Sequence, residues 1–560
     1  MDYKKHIAEK LNIEGVTCEE IYSSIMLPPD TTMGDYALPC FKFAKILRKA
    51  PQLIAEDLKN SFICDGYIKS VCAINGYLNF TVNRDELTFG VINKILNDGS
   101  LYGTSNVGEG KTIVIDYSSI NIAKPFHIGH LSTTVIGGAL YRIYKYLGYN
   151  VIGVNHLGDY GTQFGKLIYA YKQWGDKKAV EEGRVRELMR LYVKYHDEAD
   201  KDPSLDEIAR SYFKKIESGD KECIEIFNWF KELTLKDVKK VYEDLDIQFD
   251  SYNGESFYND KMQPIIDELQ EKGLLKESEG AKIVDLEKYD MPPCLILRSD
   301  GASLYATRDL AAAVYRKNTY DFYKCLYVVA YQQNLHFKQI FKVLDLMGKP
   351  WAKDMEHVAF GMVSLEEGTM STRKGKVVFL EDVISKCVEK AYSIIDDKNP
   401  NLENKEETAK AVGIGAVIFG ALSSARIKDI VFSYDKVLNF DGETGPYVQY
   451  TYARCCSLLN KGGELKSFEN VKLSDIEYSL ISELNKFPSV VMASAEKNEP
   501  CMITRYAVDL SSIFNKFYFD CKILGEEENV KNFRLALTKC TKIVIKNALS
   551  LLGIKTPEKM

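Results

Sequence analysis

The sequence contains no C-x-x-C pair among its 13 cysteines. That removes the spacing used by structural zinc sites and gives no basis for a disulfide framework. Cys455 and Cys456 are adjacent and cannot close a usual bridge. Reduced thiols, and with them a reducing cytoplasm, are the expectation. No apolar run reaches the roughly 18 residues of a membrane span. The opening MDYKKHIAEKLNI has no apolar stretch of the signal-peptide kind. Internal repeats and low-complexity linkers are missing. A net charge of −6 gives no global attraction for nucleic acid, so any basic surface must be local. With 46% hydrophobic and 27% charged residues the composition is that of a globular protein. Its 560 residues exceed one core and imply roughly two to four domains.

Histidine is also scarce, seven in all, yet two fall within four residues in the stretch KTIVIDYSSINIAKPFHIGH at 111–130. Residues 111–117 are β-branched and apolar, the pattern of a buried strand. A polar loop with Pro125 follows. From His127 to about Leu147 an apolar stripe runs through Leu131, Val135, Ala139, Ile143 and Leu147, four apart, which predicts a helix. The strand-like NVIGVN at 150–155 completes a βαβ unit with a buried parallel sheet. His127 and His130 share one face of the first helical turn, where free N–H groups and the dipole favour an anion. Gly129 leaves room for a flat ring, and Lys124 adds a positive charge three residues upstream. This is the chemistry of a polyphosphate site with a base lying on the glycine. A lone histidine at a helix start is more often a cap; the pair at a strand-to-helix turn favours the ligand.

HIGH after a first strand resembles the ATP-binding motif of class I aminoacyl-tRNA synthetases. The longer SSINIAKPFHIGHLSTT, with NHLGDYGTQFG at 155–165, resembles the arginyl family of these enzymes. The resemblance implies an α/β fold: a Rossmann-type class I catalytic domain with a helical insertion, an N-terminal α/β domain and an all-α C-terminal anticodon-binding bundle. The expected divisions are 1–105, 106–385 with the insertion at about 170–246, and 386–560. In the first part, GDYALPCF at 34–41 and NGYLNF at 75–80 resemble the extra N-terminal domain that touches the outer corner of the tRNA, although a structural α/β cap reads the same way. The insertion is charged, with Trp174, Leu188, Leu191 and Trp229 as core positions and most of its charges on a solvated face.

The resemblance also assigns residues. Glu255 in YNGESFY matches a position facing the substrate guanidinium. Tyr305 and Asp309 in SLYATRDLAAA lie at i and i+4, so both can project from one helical face into a pocket. Gln333 in QQNLH matches a substrate-binding glutamine. Asp116, Ser119, Asn121 and His130 complete the arginine set, with Asn121 facing the α-amino or carboxylate end. TMSTRKG at 369–375 stands where KMSKS is expected, with Thr369 and Thr372 in place of both lysines. Met370 and Ser371 are carried over as ATP contacts and Arg373 and Lys374 as catalytic cations. Lys124 is then expected to supply the missing charge.

The last part is helical by period. Phe440, Tyr447, Tyr450 and Tyr452 could stack on splayed bases or pack a helical core, and Gln449 lies among them. Residues 531–560 hold seven Lys or Arg against one Glu. Lys539, Lys542 and Lys546 share a helix face that suits phosphates.

The resemblance implies that arginine and ATP give an arginyl-adenylate. Transfer to the 2′-hydroxyl of the terminal adenosine of arginine tRNA follows. Mg²⁺ travels with ATP and no protein metal site is expected; nor is a membrane partner, and the chain is expected to be a monomer. Guanidinium as substrate fits an acidic pocket of Asp116, Glu255 and Asp309, because its planar fork suits bidentate carboxylates. Two other classes compete with this reading. A catalytically dead tRNA-binding regulator conflicts with the presence of both the histidine pair and Tyr305 with Asp309. A nucleotidylyltransferase with a small acceptor has no use for a helical, basic C-terminus.

Overall fold

A computed structural model describes residues 3–26, 28, 33–298, 305–365, 377–469 and 471–560. The chain divides into two compact units: residues 1–102 with 464–485 and 516–543, and residues 103–463 with 486–515 and 544–560.

In the first unit, strands β1 (Tyr36–Pro39), β2 (Ile68–Ile74) and β3 (Tyr77–Val82) form an antiparallel sheet in the order β1-β3-β2. The turn between β2 and β3 is made by Asn75 and Gly76, both with positive φ, as the expected glycine turn requires. The motif segments GDYALPCF and NGYLNF thereby become neighbours, with Tyr36 opposite Phe80 and Pro39 opposite Tyr77. In the helical part of this unit Arg534 pairs with Glu477 at 2.7 Å, where Glu477 is 1% exposed.

The second unit is built on a parallel sheet of β4 (Thr112–Asp116), β5 (Asn150–Val154), β9 (Lys324–Tyr327) and β10 (Met355–His357), in the order β10-β9-β4-β5. Ile113, Val114 and Ile115 of β4 are 0% exposed, so both faces of the sheet are covered. The helix Leu131–Tyr146 lies on the sheet through Gly137, where a Cβ would fall 2.2 Å from the Tyr117 ring. Short strands β6 (Leu275–Ser278), β7 (Ala281–Val284) and β8 (Cys294–Leu297) form an antiparallel sheet, and β11 (Val363–Leu365) pairs in parallel with β12 (Ile430–Phe432).

Helices Thr162–Trp174, Lys177–Ala199, Leu205–Glu217 and Lys221–Asp244 make the helical insertion. Leu188 and Leu191 are fully buried there, while Trp174 and Trp229 are half-buried. The rest of the unit is helical, including Gly445–Gly462, capped by Thr444 and begun with Pro446. Among the described residues, no helix is long and apolar enough to cross a membrane.

Candidate active site

The loop from β4 to the helix Leu131–Tyr146 is strained. Ser118 (φ +68°), Ser119 (φ +40°) and Ala123 (φ +59°) are all left-handed without being glycine, which costs roughly 1–3 kcal/mol each. Hydrogen bonds from outside the loop hold it. The Ser118 N–H donates to Thr133 Oγ1 at 3.0 Å. The Ile122 N–H donates to the Gly158 carbonyl at 3.1 Å and the Gly158 N–H to the Ile120 carbonyl at 2.8 Å. SSINIA and NHLGDYG are therefore paired backbone to backbone, and Gly158 lets them come close: a Cβ there would lie 2.4 Å from Asn121 Oδ1 and would have to displace that side chain. Asn121 itself is exposed.

The helix is preceded by a single 3₁₀ turn, Ile128–His130, and the two histidines cap it reciprocally. The Gly129 N–H donates to His127 Nδ1 at 3.1 Å, and the His127 N–H to His130 Nδ1 at 3.2 Å. Each Nδ1 is thus an acceptor, which puts the proton of the neutral ring on Nε2. Burial, and next the positive charge of Lys124, push His127 down to about 4. Burial, and next its histidine neighbour, hold His130 well below the usual imidazole range. The ring centroids are 4.0 Å apart. The pair is therefore two neutral N–H donors rather than two cations, and Lys124 carries the charge. On the far side, the Ile128 N–H donates to Val378 O and the Leu380 N–H to Phe126 O. The segment that follows 366–376 is thus anchored on the histidine turn. Met370, Ser371, Arg373 and Lys374 lie outside the described residues, as do Thr369 and Thr372.

The acidic residues do converge, each with an internal partner. Asp116 Oδ2 accepts from Arg316 at 2.7 Å and Oδ1 from the Ser119 hydroxyl at 2.6 Å. Arg316 is 1% exposed, and its Nε and Nη1 have no hydrogen-bond partner. Asp116 therefore enters the site with both oxygens occupied, which differs from the open guanidinium ligand expected of it. Asp309 accepts from His336 at 2.6 Å. Burial pushes its carboxyl up, but that bond and the nearby positive charges outweigh burial and hold it below the usual range. Glu255 meets Arg308 at 3.5 Å, and the Arg308 guanidinium lies 4.3 Å from the Tyr160 ring centre. Burial raises Glu255 to about 7, against the pull of Arg308. Glu255 is held in place by its N–H to Leu157 O at 2.9 Å. Its neighbour Ser256 donates through both N–H and hydroxyl to Asp159, which also binds Lys231 at 2.6 Å. Tyr305 is 66% exposed at the start of the helix Tyr305–Tyr320, and Gln333 is exposed in the turn Tyr331–Gln333.

Sequence reasoning missed the internal bases. His156 stacks on Tyr258 and approaches Arg316 at 3.3 Å; it lies in the NHLGDYG string and could have been found by asking why that histidine precedes a glycine turn. Arg316 is seven residues after Asp309, on the same helix face. The residues expected to meet RNA divide. Tyr450 is 42% exposed, and Lys539 and Lys546 are exposed. Tyr447 accepts from Asn515 through its hydroxyl, and Lys542 is half-buried. Tyr452 is 1% exposed and belongs to the core. Gln449 is 0% exposed and donates to Ala411 O and Lys555 O, so it ties the C-terminal segment down instead of meeting an outside ligand.

Three family models cover the chain: tRNA synthetases class I (R), catalytic domain, at 91–434; DALR anticodon binding domain, at 448–560; and Arginyl tRNA synthetase N terminal domain, at 1–82. The arginine--tRNA ligase of Alkaliphilus metalliredigens is 53% identical over 565 aligned residues, covering 100% of both chains. That of Clostridioides difficile is 53% identical over 570, again covering 100% of both. The solved Thermus thermophilus arginyl-tRNA synthetase superposes with a TM-score of 0.87 at 25% identity, covering 100% of this chain and 99% of that one. With a paired nucleotide loop, a convergent acidic site and relatives matched end to end, the chain belongs to the arginyl family of class I tRNA synthetases.

Proposed function

We propose that this chain ligates L-arginine to its tRNA at the site just described, and that the residues divide the work as follows. The arginine carboxylate attacks the α-phosphorus of ATP and pyrophosphate leaves. The 2′-hydroxyl of the terminal adenosine then attacks the carbonyl, and AMP leaves. His127 and His130 donate Nε2–H bonds to the phosphates over Gly129, and Lys124 supplies the fixed charge. Catalysis is positioning and charge stabilisation, with no covalent enzyme intermediate. Asp309 and Glu255 receive the guanidinium together with Tyr305 and Gln333. Asp116 completes the acidic wall while sharing its charge with Arg316, and through Ser119 it steadies the loop carrying Asn121. Met370 and Ser371 are assigned to ATP contact, and Arg373 and Lys374 to charge stabilisation. Tyr447, Tyr450, Lys539, Lys542 and Lys546 are assigned to the tRNA. The three working parts are 1–105, 106–385 and 386–560. The donors on the phosphate side are nitrogens rather than carboxylates, which fits a Mg²⁺ held by the nucleotide's own oxygens, where it would neutralise developing charge. We further assign a monomer working in the cytoplasm. The observation that supports the reading most is that Glu255 feels both the charge of Asp309 and that of Lys124, the lysine three residues before the histidine turn. The test is transfer of labelled arginine to tRNA by the purified chain: ATP-dependent, acid-precipitable label supports it, and ATP consumption without charged tRNA overturns it.

Two expected results follow from the electrostatics. Guanidinium binding needs Glu255 ionised, and its raised carboxyl titrates at about 7. The kcat/KM for arginine should therefore rise with pH through about 7 and level off above it, while the KM for ATP stays flat. Glu255→Gln should be slow and lose this step; a step retained in the variant assigns the titration elsewhere. Lys124→Ala should slow pyrophosphate exchange by roughly 10- to 100-fold, and adding Thr369→Lys should recover part of the loss. A near-parent rate for Lys124→Ala rules out compensation.

A further inference from the structure

The helical insertion reaches the strained loop with two buried hydroxyls from one helix, Lys221–Asp244. Thr234 is 0% exposed and accepts the Ala123 N–H at 3.0 Å, while its own hydroxyl donates to Phe230 O at 2.8 Å. Ala123 is left-handed and immediately precedes Lys124. About two turns further along, the Tyr242 hydroxyl lies 2.7 Å from Ser118 Oγ and accepts from Asn155 Nδ2 at 2.9 Å. Ser118 Oγ lies 2.9 Å from Thr134 Oγ1, which donates to His130 O at 2.7 Å. A carbonyl can only accept, so the proton order is forced: Thr134 donates to His130 O, Ser118 to Thr134, and Tyr242 to Ser118. Two of the three left-handed residues, Ser118 and Ala123, are thus each tied to the insertion, one through a directional relay ending on the histidine turn, the other next to the lysine.

We infer that Thr234 and Tyr242 are positioning residues for the first chemical step: the insertion holds the nucleotide loop in its left-handed form, and through it Lys124 and His130. The inference rests on the phosphate role proposed above for those two residues. A buried N–H that loses its acceptor is costly, and the loop then relaxes toward ordinary φ and carries the lysine away from the phosphates. The residues assigned to the guanidinium, Glu255, Tyr305, Asp309 and Gln333, lie outside this loop.

The test is ATP–pyrophosphate exchange with Thr234→Val, Thr234→Ser, Tyr242→Phe and the double variant Lys124→Ala with Thr234→Val. Rates are normalised to active sites counted by the burst of adenylate, which removes misfolded protein from the comparison. Thr234→Val keeps the shape and removes the hydroxyl. It should lower kcat about tenfold, with the arginine KM within about twofold of the parent. Thr234→Ser, which keeps an acceptor, should recover most of the rate. The double variant should be no slower than Lys124→Ala alone, because Thr234 acts through that lysine. Tyr242→Phe should also lower kcat and leave the arginine KM unchanged. A parent rate for Thr234→Val beside a slow Lys124→Ala overturns the inference by itself. So does a Thr234→Ser variant as slow as the valine, or losses that multiply in the double variant. A parent rate for Lys124→Ala instead removes the phosphate reading and the route by which Thr234 acts.

Discussion

His130→Asn is expected to slow adenylate formation by roughly two to three orders of magnitude, the usual loss when one preorganised donor to a developing negative charge is removed. The choice of asparagine separates two jobs. His130 Nδ1 accepts the His127 N–H at 3.2 Å, and an asparagine oxygen can take that bond, so the cap survives. What disappears is the Nε2–H. Alanine removes both and should be slow and less stable. His127 does the matching work, because its Nδ1 accepts from Gly129. Both rings stay neutral well into acid, so neither causes a fall in rate between pH 7 and about 5. They do affect folding. A histidine whose folded value is depressed contributes stability that is complete above its unfolded value of about 6.5 and is lost as pH falls toward about 4, the folded value of His127. An exchange rate for His130→Asn within about twofold of the parent, at unchanged melting temperature, contradicts the donor role.

Asp309→Asn is expected to lower kcat/KM for arginine by about two to three orders of magnitude while the KM for ATP changes by less than about twofold. The carboxylate already holds His336 at 2.6 Å, and its second oxygen remains for a guanidinium N–H. An amide offers half the acceptors and no charge, and its NH₂ opposes the ligand. His336 is then left without its anion as well. Tyr305→Phe should act in the same direction with a smaller loss. A parent kcat/KM for arginine in Asp309→Asn removes this residue from recognition.

The strand–loop–helix around the histidines was legible because β-branched residues, Pro125 and a four-residue apolar repeat each constrain the backbone locally. The parallel sheet followed from it. The helix begins at Leu131 rather than His127 because the paired histidine caps tighten the first turn into a 3₁₀ one. The antiparallel strands β6 to β8 are only four residues each; the apolar runs at 283–286 and 294–298 read as strands, whereas LKES at 275–278 is too short and polar for periodicity to separate it from loop. Charge pairing was the larger gap. Nothing local in SLYATRDLAAAVYR says that Arg316 turns inward to Asp116 while Arg308 turns to Glu255. That depends on which strands are neighbours. For the same reason the insertion reads as a solvated helix, and the inward hydroxyls of Thr234 and Tyr242 are invisible until Ser118 and Ala123 are seen to be left-handed. Gln449 sits in an aromatic, RNA-like string, yet the C-terminal segment covers it.

A site of carboxylates shaped for a planar fork discriminates at its first step, because a ligand without that fork leaves buried charges unpaired. The most direct measurement is ATP–pyrophosphate exchange by the purified chain with arginine, lysine and citrulline at matched concentration, with and without tRNA. The account predicts exchange with arginine alone, lysine failing because one ammonium cannot satisfy two carboxylates and citrulline because it is neutral. Comparable exchange with lysine or citrulline would contradict it.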